Sequence, residues 1–144
     1  QKRIESKKAE VGVVGLGYVG LPLAVEFAKA GFRVMGIDIS QDRVDRINRS
    51  ENYIKDVDDK ELAQLVSSDL FRATTDYSVV SELDAVSICV PTPLSKLKDP
   101  DVSFIQAALD AIGQYVHKDF LVILESTTYP GTTEEIIIPR LNHH

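Results

Sequence analysis

Apolar residues along this chain gather into short unbroken runs, and stretches of helical spacing separate the runs. Val11–Val14 and Ala85–Val90 read as strands buried on both faces, and Arg33–Ile37, Leu70–Thr74 and Phe120–Leu124 read as three more. Between them, Leu21, Ala24, Val25 and Ala28 recur at i, i+3, i+4 and i+7, as do Ile105, Ala108, Leu109 and Ile112. Each set defines the buried face of a helix. Pro22 sits in the first turn of the first helix, where its missing N–H costs nothing, and Gly31 ends it. Ser40 predicts the N-cap of a short helix carrying Val44 and Ile47. Asp58, with Glu61 three residues on, predicts a capping box ahead of Leu62, Leu65 and Val66. Asp76–Ser81 suits one or two helical turns, Asp101 caps the helix of Ile105, and Thr132 or Thr133 caps a last one. Residues 50–57 and 95–100 read as loops.

Five strands alternating with helical crossovers require a parallel sheet, because each crossover returns the chain to the same end of the sheet. Right-handed crossovers then predict an α/β, doubly wound arrangement of the Rossmann type, with strand order 3-2-1-4-5 and a ligand crevice where the order reverses. At 144 residues the chain is one domain.

The first strand breaks into Gly15-Leu16-Gly17-Tyr18-Val19-Gly20, which fits the dinucleotide-binding spacing G-x-G-x-x-G. Gly15 permits the tight turn, Gly17 lets the backbone approach a pyrophosphate, and Gly20 lets helix and strand pack closely. The phosphates would sit at the helix N-terminus. Asp38 ends the second strand, placed to hydrogen-bond the adenosine ribose and to repel a 2′-phosphate, which favours NAD over NADP. Arg43 is either an adenine-stacking guanidinium or a solvated helix arginine. Thr92 and Thr127, just past the fourth and fifth strands, either reach the ribose–nicotinamide side or simply form turns. Cys89 reads as an inert buried thiol. No metal-ligand spacing and no Ser-His-Asp set is present.

Composition narrows the partners. The net charge is −6 and the pI about 5.0, so no nucleic-acid partner is expected. No apolar stretch approaches the roughly 20 residues of a membrane helix, no secretory h-region stands at the start, and the single cysteine rules out a disulfide framework. A cytoplasmic protein is expected. Residues 1–10 read as a polar, solvated leader. His143-His144 reads as the start of a purification tag covering 142–144, and a last helix cut short suggests a longer parent.

Val13-Val14-Gly15-Leu16-Gly17-Tyr18-Val19-Gly20-Leu21-Pro22 resembles the amino-terminal signature of the nucleotide-sugar dehydrogenases. Gly36-Ile37-Asp38-Ile39, Val90-Pro91-Thr92-Pro93-Leu94, and Glu125-Ser126-Thr127 with Pro130-Gly131-Thr132-Thr133 agree in the same order. The resemblance covers residues 11–141 and implies an NAD-binding domain. Its parent enzymes oxidise the C6 alcohol of a UDP-sugar to a carboxylate with two NAD. The Val-Pro-Thr-Pro form, with a polar insertion before Asp99-Pro100-Asp101, is more similar to the UDP-N-acetylhexosamine enzymes, UDP-N-acetylglucosamine 6-dehydrogenase first, than to the UDP-glucose enzymes.

By the resemblance, Tyr18 and Val19 meet the pyrophosphate, Asp38 the ribose, Arg43 the adenine side, and Thr92 and Thr127 the nicotinamide half. It also places the catalytic cysteine, with its lysine and asparagine partners, in a later domain. Cys89 does not match that cysteine, so this chain is expected to bind NAD without turnover and to meet a UDP-sugar only within a full-length, homo-oligomeric parent. A UDP-glucose 6-dehydrogenase and a stand-alone NAD-sensing module remain the alternatives. The 3-hydroxyisobutyrate and 6-phosphogluconate dehydrogenases share the glycine turn but lack the Glu-Ser-Thr and Pro-Gly-Thr-Thr pattern.

Overall fold

The computed structural model describes residues 2–94 and 100–142. Strands β1 (Glu10–Val14), β2 (Arg33–Ile37), β3 (Phe71–Thr74), β4 (Ala85–Ile88) and β5 (Leu121–Leu124) form one parallel sheet in the order β3-β2-β1-β4-β5. Helices α2 (Gly20–Lys29), α3 (Gln41–Asn48), α4 (Asp59–Ser67) and α5 (Ser103–Gly113) make the crossovers, and a 3₁₀ segment (Tyr77–Glu82) leads into β4. A π-helical turn (Thr133–Ile137) runs on into α6 (Ile138–Asn142). The expected topology is the observed one.

Alternation along the strands sends successive side chains to two separate cores. Val13 joins Leu21, Ala24, Val25, Leu62 and Phe71 on one face. Val14 joins Val86, Ile105, Leu109, Ile112 and Ile137 on the other. Both helical stripes read from the sequence are buried. The edge strand β5 buries one side only. Val122 and Leu124 pack inward, while Leu121 and Ile123 stay exposed.

Several local expectations are corrected. The leader is not simply solvated: Lys2–Glu5 forms a helical turn (α1), whose Arg3 carbonyl accepts from the Lys8 and Ala9 N–H groups. Arg3 also pairs with Asp84 at 3.1 Å, Ala9 is fully buried, and the sheet starts at Glu10. β4 stops at Ile88, because β1 turns away at Gly15 and the last rung is the Cys89 N–H to the Val14 carbonyl, 2.7 Å. Cys89 therefore lies beyond the strand.

Half of the capping box forms. Asp58 accepts from the Lys60 and Glu61 N–H groups, whereas the Glu61 carboxylate turns to Lys29 at 3.2 Å. Thr132 does not cap. Its backbone is already helical and its hydroxyl donates back to the Tyr129 carbonyl at 2.7 Å. Asp101 does accept from the Ser103 N–H at 2.9 Å. Residues 95–99 of the polar connection, and His143-His144, lie outside the described residues.

Candidate functional site

β1 and β4 lie side by side, but the chain leaves them in opposite directions across the sheet. That reversal opens a cleft of about 510 Å³ at their carboxyl ends. Gly15, Gly17, Tyr18, Val19, Asp38, Arg43, Thr92 and Thr127 all line it. Of the residues singled out in the sequence, only Gly20 is absent from its wall, and Gly20 has a different part.

The turn is built on its glycines. Gly15 adopts φ +90°, a left-handed conformation that favours glycine, and its N–H donates to the Ile37 carbonyl at 2.8 Å. A Cβ on Gly20 would overlap the Gly15 carbonyl oxygen, so Gly20 permits α2 to start hard against the strand end. A Cβ on Gly17 would meet only Arg43 Nη1, 3.9 Å away, so the protein leaves the space over Gly17 open.

The N-cap of α2, Val19, makes no side-chain capping bond, and the first turn carries no acidic side chain. Its leading N–H groups are thus left without a side-chain acceptor at the positive end of the helix dipole. Tyr18 and Val19 flank this terminus and are 80% and 59% exposed.

Asp38 is only 5% exposed, and its carboxylate is already engaged. Oδ2 accepts from the Leu16 N–H at 2.8 Å and Oδ1 from the Ser40 N–H at 2.8 Å. Arg43 Nη1 lies 3.4 Å from Oδ2. Neither sequence reading of Arg43 anticipates this, since the guanidinium pairs with Asp38 and stands 5.9 Å from the Tyr53 ring centroid. Oδ1 retains an acceptor lone pair beyond Ser40, which suits a ribose hydroxyl.

Tyr53 belongs to the site's support and was read in the sequence only as part of a loop. Its hydroxyl donates to the Leu16 carbonyl at 2.6 Å, and burial pushes the phenol up to about 12.

At the other end of the cleft, Thr92 and Thr127 stand just past β4 and β5. The Ser126 hydroxyl ties the two strand ends by donating to the Val90 carbonyl at 2.7 Å. Cys89 touches the cleft floor. Burial pushes its thiol up to about 11, a hydrogen bond with the Ser87 hydroxyl opposes that rise, and the charge of Glu125 adds a smaller push. Cys89 is therefore protonated at neutral pH, as an inert thiol should be.

The α5 wall was missed. Phe104, Ala107, Ala108 and Ala111 face the cleft, so the helix presents mostly methyl groups there. Their spacing of i, i+3, i+4 and i+7 stands in the sequence beside the more apolar stripe of Ile105, Leu109 and Ile112. Among the described residues no group of three His, Cys, Asp or Glu side chains is placed to hold a metal. None of their helices is long and apolar enough to cross a membrane.

An uncapped helix start, free space over Gly17 and a buried acid at the end of β2 together fit a dinucleotide. Comparison with known proteins agrees. The profile of the UDP-glucose/GDP-mannose dehydrogenase family, NAD binding domain, matches residues 9–144. The UDP-N-acetyl-D-mannosamine dehydrogenase of Salmonella typhi is 42% identical over 127 residues, 88% of this chain and 30% of that protein. The UDP-N-acetyl-D-glucosamine 6-dehydrogenase of Pseudomonas aeruginosa is 41% identical over 135 residues, 94% of this chain and 31% of that protein. Among solved structures, the NDP-N-acetyl-D-galactosaminuronic acid dehydrogenase of Methanosarcina mazei superimposes with a TM-score of 0.86 at 34% identity. The match covers 99% of this chain and 33% of that one. The chain thus spans about 30% of the length of the curated relatives it matches.

Proposed function

The chain belongs to the UDP-glucose/GDP-mannose dehydrogenase family as its NAD-binding domain, and from that premise we propose that it is the cofactor-holding part of a UDP-N-acetylglucosamine 6-dehydrogenase. The observation that carries this reading is a single cleft that brings together the uncapped, acid-free start of α2 and the buried Asp38. The relatives matched at about 40% identity support the N-acetylhexosamine branch by their names.

When bound, NAD supplies the hydride acceptor. The rest is done by the chain. The N–H groups from Gly17 to Gly20 receive the pyrophosphate, since that of Leu16 is already given to Asp38, and Gly17 allows its close approach. Asp38 Oδ1 accepts from a ribose hydroxyl, and its charge opposes a 2′-phosphate. Thr92 and Thr127 offer hydroxyls to the nicotinamide half, and the alanines of α5 leave room beside it. The Cys89 thiol, held protonated, is unsuited to capture an aldehyde as the family's chemistry requires. Binding without turnover follows.

Calorimetric titration of this chain with NAD and NADP tests the reading. NAD should bind tighter by about tenfold or more, some 1.4 kcal/mol. Equal affinities would remove the role given to Asp38, and oxidation of any UDP-sugar by this chain alone would overturn the division of labour.

A further inference from the structure

Leu16 is held from both sides by residues far away in the chain. Its N–H is bonded to Asp38 Oδ2 at 2.8 Å and its carbonyl to the Tyr53 hydroxyl at 2.6 Å. The ring of contacts closes through Arg43, whose guanidinium lies 3.4 Å from Asp38 Oδ2 and 5.9 Å from the Tyr53 ring centroid. Arg46 also stands 5.1 Å from that centroid. Tyr53 is itself anchored by its loop. Asn52 Nδ2 donates to the Val57 carbonyl at 2.6 Å, Asn52 Oδ1 accepts from the Ile54 N–H at 2.9 Å, and Ile54 and Val57 are buried.

The Leu16 carbonyl and the Gly17 N–H belong to one planar trans peptide and point in opposite directions. Fixing the oxygen therefore fixes the N–H. Gly17, lacking a Cβ, gives that peptide little resistance to rotation of its own. Gly17 lines the cleft and Tyr53 does not. We propose that Tyr53 is a positioning residue: by holding the Leu16 carbonyl, it aims the Gly17 N–H at the cofactor pyrophosphate without touching the cofactor. This rests on the reading that NAD lies with its pyrophosphate on the glycine turn.

Tyr53→Phe removes the hydroxyl and keeps the ring beside Arg43 and Arg46. Binding of ADP-ribose and of adenosine to the 144-residue chain, followed by NMR titration, separates phosphate-dependent affinity from the rest. ADP-ribose should weaken about five- to tenfold in Tyr53→Phe while adenosine binds as before. Without ligand, the Gly17 amide nitrogen should shift, since the bond to the preceding carbonyl is lost, while the distant Gly31 amide stays in place.

Undiminished ADP-ribose affinity in Tyr53→Phe, or equal weakening of both ligands, would overturn the role of Tyr53. Wild-type chain binding ADP-ribose no tighter than adenosine would instead overturn the pyrophosphate reading, and this inference with it.

Discussion

A methyl group added at Gly20 would be driven into the Gly15 carbonyl oxygen, whereas one added at Gly17 would find only Arg43 Nη1 at 3.9 Å. The two alanine variants should therefore fail differently. Gly20→Ala should lower stability by about 3 kcal/mol or more, because backbone cannot yield as a side chain can. Gly17→Ala should fold normally yet bind NAD about tenfold more weakly or worse, since the proposed function puts the pyrophosphate in the space its methyl would fill. Thermal unfolding of each variant, paired with an NAD titration, distinguishes the two.

A second expectation at this scale concerns alkaline pH. Burial raises the Cys89 thiol from 9.0 to about 11 and the Tyr53 phenol from 10.0 to about 12. The fold favours both neutral forms, so the unfolded chain releases these protons first. Their stabilising contribution is complete below about pH 9 and is lost as pH rises toward 12. Urea midpoints should fall across that window, with a shallower fall in Cys89→Ala.

At the scale of elements, α4 shows what a local signal can specify. Asp58 accepts two N–H groups at 2.9 and 3.0 Å, so Asp58→Ala should cost about 1 kcal/mol in chemical denaturation. Glu61→Gln should cost much less, because its exposed pairing with Lys29 is the weak kind. The helices were legible because stripe, cap and terminal glycine are all encoded within a few residues of one another. Strand ends were not. Cys89 and Val90 are as apolar as the residues before them, and what ends β4 is the departure of its neighbour at Gly15. Thr132 fails to cap for a related reason: a hydroxyl that can serve an N–H ahead can equally donate to a carbonyl behind.

For the whole molecule, the alternation of strands and crossovers narrowed the sheet to a handful of un-knotted right-handed windings, the observed order among them. The glycine turn, Asp38 and the strand-end threonines could then be assigned to one cleft, since that winding brings strand ends together. What the pattern could not carry was contact between distant side chains. The Tyr53 hydroxyl reaches across 37 residues to Leu16, and nothing near either residue announces it. Arg43 was legible as a neighbour of the cleft but not as the partner of Asp38. The α5 wall escaped because its alanines carry a weaker apolar signal than Ile105, Leu109 and Ile112 beside them, although smallness is what makes room there.

Asp38 is tied to the Leu16 and Ser40 backbone, and the proposed function also gives it the ribose. On that proposal cofactor preference and turn architecture share one side chain, and selection cannot tune them apart. A lineage drifting toward a phosphorylated cofactor by trading Asp38 for a short neutral residue would orphan the Leu16 N–H in the same step. The intermediate would be handicapped before any new preference appeared. The exchange becomes passable only if a compensating acceptor for Leu16 arrives first, which makes the order of substitutions, rather than their number, the barrier to switching.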